Sequence, residues 1–286
     1  MGLLSGLGAL GLGNLENATL YETNDSKQKG QAKEKEVPPE VKEADMLFDK
    51  TYTCPVCDQE FKAKTIRAGK IRMLGTDMDL RPKYENIDMM KYETIACPHC
   101  GYAALSRYFK YMTSMQLNLI RTNICANYHP HPMDGEIYTH EEALERYKLT
   151  LANAIVKRAK ASEKAYICLK TGWLMRGMTE ALDQKAPEYA AKKDAYERME
   201  KEYLKNALEG FLAARQTEGF PMCGMDEITM DYLIAILAME CEQYDLSLKV
   251  LSTVITSKGV NGRVKERALD ARDMLREKMK AQRVEK

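Results

Sequence analysis

No stretch of this 286-residue chain approaches the roughly eighteen consecutive apolar residues of a membrane-spanning helix, so no helical span is expected. Neither sign of charge dominates. Lys and Arg number 43 against 42 Asp and Glu, a formal net charge of +1. That balance builds no field over the whole chain and argues against a dominant nucleic-acid or membrane-surface role. Also missing are a Ser/His/Asp set, a phosphate-cradling glycine loop, and an obvious nucleophile outside the cysteines. These absences point away from an enzyme. The opening "MGLLSGLGALGLGNLENATLYE" is apolar and glycine-rich, but no Lys or Arg precedes it and no A-x-A-like site follows, so it does not read as a secretory signal. Gly6 stands where a myristoylation motif needs Ser or Thr. A cytoplasmic location is the resulting expectation.

What is present fits a globular protein, with 45% hydrophobic and 30% charged residues. Residues 1–45 read as a glycine-rich flexible tail followed by a polar linker, "SKQKGQAKEKEVPPE". Residues 46–110 contain short strand-like pieces ("KTYTC", "EFKAKTIRAGKIRML", "KYETIAC"), each ending at a turn signal or a cysteine pair. Residues 111–283 are helical in period. The spacing predicts a helix through "AALSRYFKYMTSMQLNLIRTNICANY", stopped by "HPHP". Thr139 with Glu142 forms a capping box before a stripe of Ala143, Leu144, Tyr147, Leu151, Ala154 and Ile155. Further amphipathic stretches follow around Trp173, Tyr203, Leu233, Leu251 and Leu275, with short connections. The fold class expected is α+β, mainly α: a small zinc-ribbon-like β module followed by an α-helical hairpin array. "EQYDLSLKVLSTVI" is like the second helix of a tetratricopeptide repeat, although the stretch 188–218 is too long for a regular unit.

The eight cysteines carry the strongest chemical signal. Four are single; Cys125, Cys168 and Cys241 lie in apolar helical patterns and read as small buried hydrophobes. The other four form two C-x-x-C pairs, "CPVC" (Cys54, Cys57) and "CPHC" (Cys97, Cys100). Two such units can supply four thiolates to one tetrahedral ion, Zn in preference to iron, with no open coordination position for catalysis. A tight Cys-Pro-x-Cys turn aims both sulfurs at one point. Gly101 after the second pair can take a positive φ, and Asp58 holds the equivalent place after the first. The competing reading is dithiol redox chemistry, which expects one such motif in a βαβ setting.

"TDMDLRPKY" adds a candidate recognition loop, Asp77, Asp79, Arg81 and Tyr84, whose plain alternative is an Asp-rich turn paired with Arg81. Cys125, His129, His131 and His140 could be taken for a second metal set, but their spacing is irregular and a solvated interhelix loop is preferred. Arg272, Arg276, Lys280 and Arg283 share a helix with Asp270, Asp273 and Glu277 and read as a solvated face. Trp173 and Arg176 in "GWLMRG" read as core before groove.

The stretches "YTCPVCDQEF", "IRMLGTDMDLRPKYENIDMMKYETIACPHCGYAA", "WLMR" and "GMDEITMDYLIAIL" resemble the uncharacterised bacterial domain-of-unknown-function family 2225 (DUF2225), over roughly residues 46–280. The resemblance implies a two-knuckle cysteine module followed by tetratricopeptide-like helices, and it implies no activity. The function expected is a non-enzymatic, metal-stabilised scaffold or adaptor for a protein or peptide partner. One alternative is nucleic-acid binding through the ribbon, where residues 51–111 carry ten Lys and Arg against seven Asp and Glu. Another is a C-x-x-C redox or rubredoxin-like electron carrier. The oligomeric state is left open by the sequence.

Overall fold

The structure is a computed structural model and describes residues 42–130 and 135–284. The glycine-rich start, most of the polar linker, and His131 lie outside the described residues. The fold is α+β and mainly α, with strand pairs toward the N-terminal end and seven α-helices among the described residues.

Three antiparallel strand pairs come first. β1 (Leu47–Thr53) pairs with β2 (Glu60–Ile66), β3 (Met73–Thr76) with β4 (Pro82–Tyr84), and β5 (Thr94–Ala96) with β6 (Ala103–Leu105). Alternation along β1–β2 turns Phe61 and Ala63 inward and leaves Lys62 exposed. Tyr52 lies over Phe61 at 6.0 Å between ring centroids, and Phe109 meets both edge-on. These rings join Val56, Ile95, Tyr102, Ala104 and Ile120 in a small core around the four paired cysteines.

The helices are α1 (Ser114–Asn123), α2 (His140–Val156), α3 (Ala161–Glu180), α4 (Tyr189–Thr217), α5 (Glu227–Glu240), α6 (Tyr244–Thr256) and α7 (Gly262–Val284). From α2 onward each packs on the next in chain order. The starts are specified locally. Thr139 accepts from Glu142 N and Glu142 reaches back to Thr139 N at 2.7 Å, the capping box expected from the sequence. Thr113 and Gln116 do the same for α1, and Asp226 caps α5. α3 has no cap of its own and borrows one: Ser162 N donates to Glu218 Oε1, beyond the end of α4, at 3.0 Å. The main core lies between α2, α3, α4 and α5, around Tyr147, Leu169, Leu174, Leu208, Phe211 and Leu233. A second, around Tyr232, Ile236, Leu251, Ala271 and Leu275, joins α5, α6 and α7.

One sequence expectation is corrected. The helix expected from residue 103 through Tyr128 runs only from Ser114 to Asn123 and gives way to a short 3-10 turn at Cys125–Asn127 before the prolines are reached. Ala103–Leu105 is instead strand β6, all three residues buried, because Ala104 and Leu105 complete the cysteine-side and helix-side cores while the backbone pairs with β5. A helix former in an apolar run yields to tertiary pairing here.

Candidate metal centre

Both cysteine pairs sit in the turn of a β-hairpin, and the two turns repeat each other bond for bond. In the first, Cys54 N donates to Gln59 O at 3.0 Å and Asp58 N to Cys54 O at 2.9 Å. In the second, Cys97 N donates to Tyr102 O at 2.8 Å and Gly101 N to Cys97 O at 3.1 Å. The residue after each pair takes the left-handed conformation the tight turn requires, Asp58 at φ 58° and Gly101 at φ 75°. Gly101 has a second reason to be glycine. A Cβ there would stand 2.5 Å from Tyr128 Cγ.

The hairpins bring all four sulfurs within 4.8 Å of one another. Cys54 Sγ lies 3.6 Å from Cys100 Sγ, and Cys57 Sγ lies 3.7 Å from Cys97 Sγ. Those separations are far beyond a disulfide and all eight cysteines are free thiols. They match the edge of a tetrahedron with metal–sulfur bonds of about 2.3 Å, which is about 3.8 Å. The protonation balance agrees. Hydrogen bonds from Cys100 and then Cys54 hold the Cys97 thiol well below the usual thiol range. The same crowding by Cys54 and Cys97 pushes Cys100 far up. Four clustered thiols cannot all ionise without a cation among them, and a bound ion removes that conflict. Val56 N donates to Cys54 Sγ at 3.4 Å, a contact suited to a thiolate. The donor set therefore suits a metal ion, and four protein ligands leave no open position. Cys125 packs at the edge of this cluster, and burial pushes its thiol up. His99, inside "CPHC", is exposed and turned toward Glu60 O, away from any role as a ligand.

Helices brace each knuckle. Arg121 of α1 donates through Nε and Nη2 to Val56 O at 3.0 and 2.7 Å. Asn153 of α2 donates to Gly101 O at 3.0 Å, and Arg146 to Thr94 O at 2.7 Å. No local sequence signal pointed to these three braces, which lie 52 or 65 residues from their carbonyl partners.

The spacer between the knuckles docks on the helices through an ion network. Asp79 is 2% exposed and Arg81 4%. Asp79 accepts from Trp173 Nε1 at 2.8 Å and from both terminal nitrogens of Arg176, at 3.1 and 2.8 Å. Arg176 also donates to Asp77 at 3.1 Å and to Glu200 of α4 at 2.7 Å. Burial opposes the charge of Arg176, yet the carboxylates of Asp79 and Glu200 outweigh it and raise its pKa. Arg81 pairs with Glu180 at 2.9 Å, and Lys83 bridges Asp77 and Glu180. Tyr232 of α5 donates to Met78 O, and Arg267 of α7 donates to Thr76 Oγ1. The segment thus bonds to α3, α5 and α7 and is linked to Glu200 of α4 through Arg176. Of the four candidate recognition residues, Asp79 and Arg81 face inward, Asp79 held by α3 and Arg81 bonded to Glu180 through Nη2 with its Nε and Nη1 buried without a hydrogen-bond partner among the described residues, while Asp77 and Tyr84 are half-buried. Trp173 is in the core, as expected, but as a hydrogen-bond donor to a carboxylate.

Among the described residues the four paired cysteines are the one group of three or more His, Cys, Asp or Glu placed to hold an ion; His140 turns instead to Asp88, at 3.4 Å. Arg272 and Arg276 pair with Asp273, and Lys280 with Glu277, on the exposed face of α7.

The family model described as "Uncharacterized protein conserved in bacteria (DUF2225)" matches residues 47–277. The chain belongs to this family. Its matched span opens at β1, takes in both knuckles and the ion network, and closes within α7. No curated protein and no solved structure matches the chain. No described helix of this DUF2225 member is long and apolar enough to cross a membrane.

Proposed function

We propose that this DUF2225 protein is a non-enzymatic scaffold or adaptor in which one zinc ion, held by Cys54, Cys57, Cys97 and Cys100, fixes a ribbon-like module (residues 46–110) to a tetratricopeptide-like helical domain (residues 111–283). Together they present a surface to a protein or peptide partner in the cytoplasm. The observation that carries the reading is the convergence of four sulfurs, with spacings of 3.6 and 3.7 Å, from two hairpins of the same design. Zinc is preferred to iron as the usual occupant of closed tetrathiolate sites. The ion's part is to hold the two turns together. Arg121 and Asn153 carry that order into α1 and α2, and Asp77, Asp79 and Arg81 fix the helices that bear the surface, with Tyr84 at its edge.

Elemental analysis of the purified protein beside its Cys97→Ser form tests the metal. About one zinc per chain is expected in the former and a large loss in the latter. Less than about half an equivalent of any metal in the unaltered protein would refute the tetrathiolate reading. The adaptor role is tested by crosslinking in the native host with both forms. A partner retained only by the metal-loaded form is expected, and dithiol–disulfide exchange activity in place of a partner would favour the redox alternative.

A further inference from the structure

Between the free edge of β1 and the segment after β6 lies a cavity of about 320 Å³, lined by Lys50, Thr51, Tyr52, Thr53, Pro55, Phe109 and Lys110. Its wall carries two ammonium groups and no carboxylate. Lys50 and Lys110 are both exposed, and neither is in an ion pair among the described residues, in a protein where most buried or half-buried cations are matched. Lys50 Nζ lies 5.2 Å above the Tyr52 ring, which places its charge over the aromatic floor. The floor is rigid, because Tyr52, Phe61, Phe109 and Tyr102 pack ring to ring down to the cysteine cluster. Exposed Thr51 and Thr53 add hydroxyls to the rim. Directly after Lys110 comes Tyr111, 79% exposed. An aromatic ring left in water beside two unmatched cations is the combination that takes a base on the ring and phosphates on the cations.

We propose that this notch is a binding site for single-stranded nucleic acid, with Lys50 and Lys110 contacting adjacent phosphates and Tyr111 stacking one base. The site is small, and the chain has no net field to add to it, so the binding is weak, salt-sensitive and sequence-tolerant. The proposal does not depend on the adaptor reading. A base on Tyr111 with phosphates on Lys50 and Lys110 uses all three side chains, whereas an acidic peptide would pair with the two ammonium groups and leave the exposed ring unused.

The test is fluorescence anisotropy with labelled oligouridylate and oligothymidylate of about ten nucleotides, using the full chain with its metal. Two phosphate contacts on a single strand give a salt slope of about −1.4, or roughly 25-fold weaker binding between about 20 and 200 mM salt. Lys50→Glu/Lys110→Glu is expected to lose at least tenfold, and Tyr111→Ala roughly fivefold. Each variant should keep the melting temperature and metal content of the parent, and Lys50→Gln/Lys110→Gln serves if the charge reversal disturbs folding. Three results would overturn the proposal: no saturable binding at the low salt; an equal loss on reversing two distant exposed lysines, Lys148→Glu/Lys258→Glu; or displacement of the strand by a mononucleotide at the strand's own concentration.

Discussion

Replacing Asp79 with alanine removes the carboxylate on which the spacer and helix α3 converge. Three side-chain donations end at once, one from the Trp173 indole and two from the Arg176 guanidinium. The Asp79 side chain is 3% exposed and that of Arg176 23%, so solvent does little to replace what is lost. Breaking a buried ion pair from one side costs about 3–5 kcal/mol, because the remaining charge stays buried without its partner. Asp77 and Glu200 still hold Arg176, which places the expected loss near the lower end, about 3 kcal/mol. For a folded unit of this size that corresponds to a fall in melting temperature of roughly 6–12 °C. Calorimetry or far-UV circular dichroism on Asp79→Ala measures it directly. Adding Arg176→Met in the same chain is expected to cost less than the sum of the two single changes, since the contact between Asp79 and Arg176 is lost only once. A loss below about 1 kcal/mol in Asp79→Ala, or strictly additive effects in the double variant, would show that the network does not hold the spacer to α3.

Other outcomes follow from the same geometry. Gly101→Ala meets the Tyr128 ring and forces a side chain into φ 75°; it is expected to destabilise by about 2–4 kcal/mol and to lower metal content in elemental analysis. Asp58→Gly, at the matching place in the first knuckle, should stay within about 0.5 kcal/mol of the parent, because relieved strain offsets added freedom in the unfolded chain. Acid titration followed by circular dichroism should show stability falling as pH drops below about 4. Burial raises the Asp77 and Asp88 carboxyls, yet hydrogen bonds from Lys83 and Arg176 to the first, and from His140 and Met90 N to the second, outweigh it and lower both. Groups depressed in the folded state contribute fully above their unfolded pKa and lose that contribution as pH falls through the folded one. A flat stability profile from pH 6 to pH 3 would contradict the pairing.

The sequence carried the local part of this structure and little of the rest. Two Cys-Pro-x-Cys turns, the Thr139–Glu142 capping box and most of the apolar stripe of α2 are written within a few residues and are found where their patterns put them, whereas Ile155, counted in that stripe, stands 60% exposed near the end of the helix. The Asp79–Arg176 pair spans 97 residues, and nothing beside either residue announces the other. Charged side chains in a turn look solvated until the partner that buries them is known. Ala103–Leu105 failed for the same reason, because its strand state depends on β5 and on two cores that meet around it. The bases of the knuckle braces, Arg121 and Asn153, were likewise invisible, since arginine and asparagine on helices usually face water.

The order of the chain gives the cysteine cluster a consequence in time. All four sulfurs are made by residue 100, whereas the braces come at Arg121 and Asn153 and the Asp79 partners at Trp173, Arg176 and Glu200. At about 5–20 residues per second, synthesis leaves the ribbon without its helical bed for several seconds. All four sulfur donors are thus present in the growing chain before Ile120 of α1, which completes the core around them, and before the helices that brace their turns.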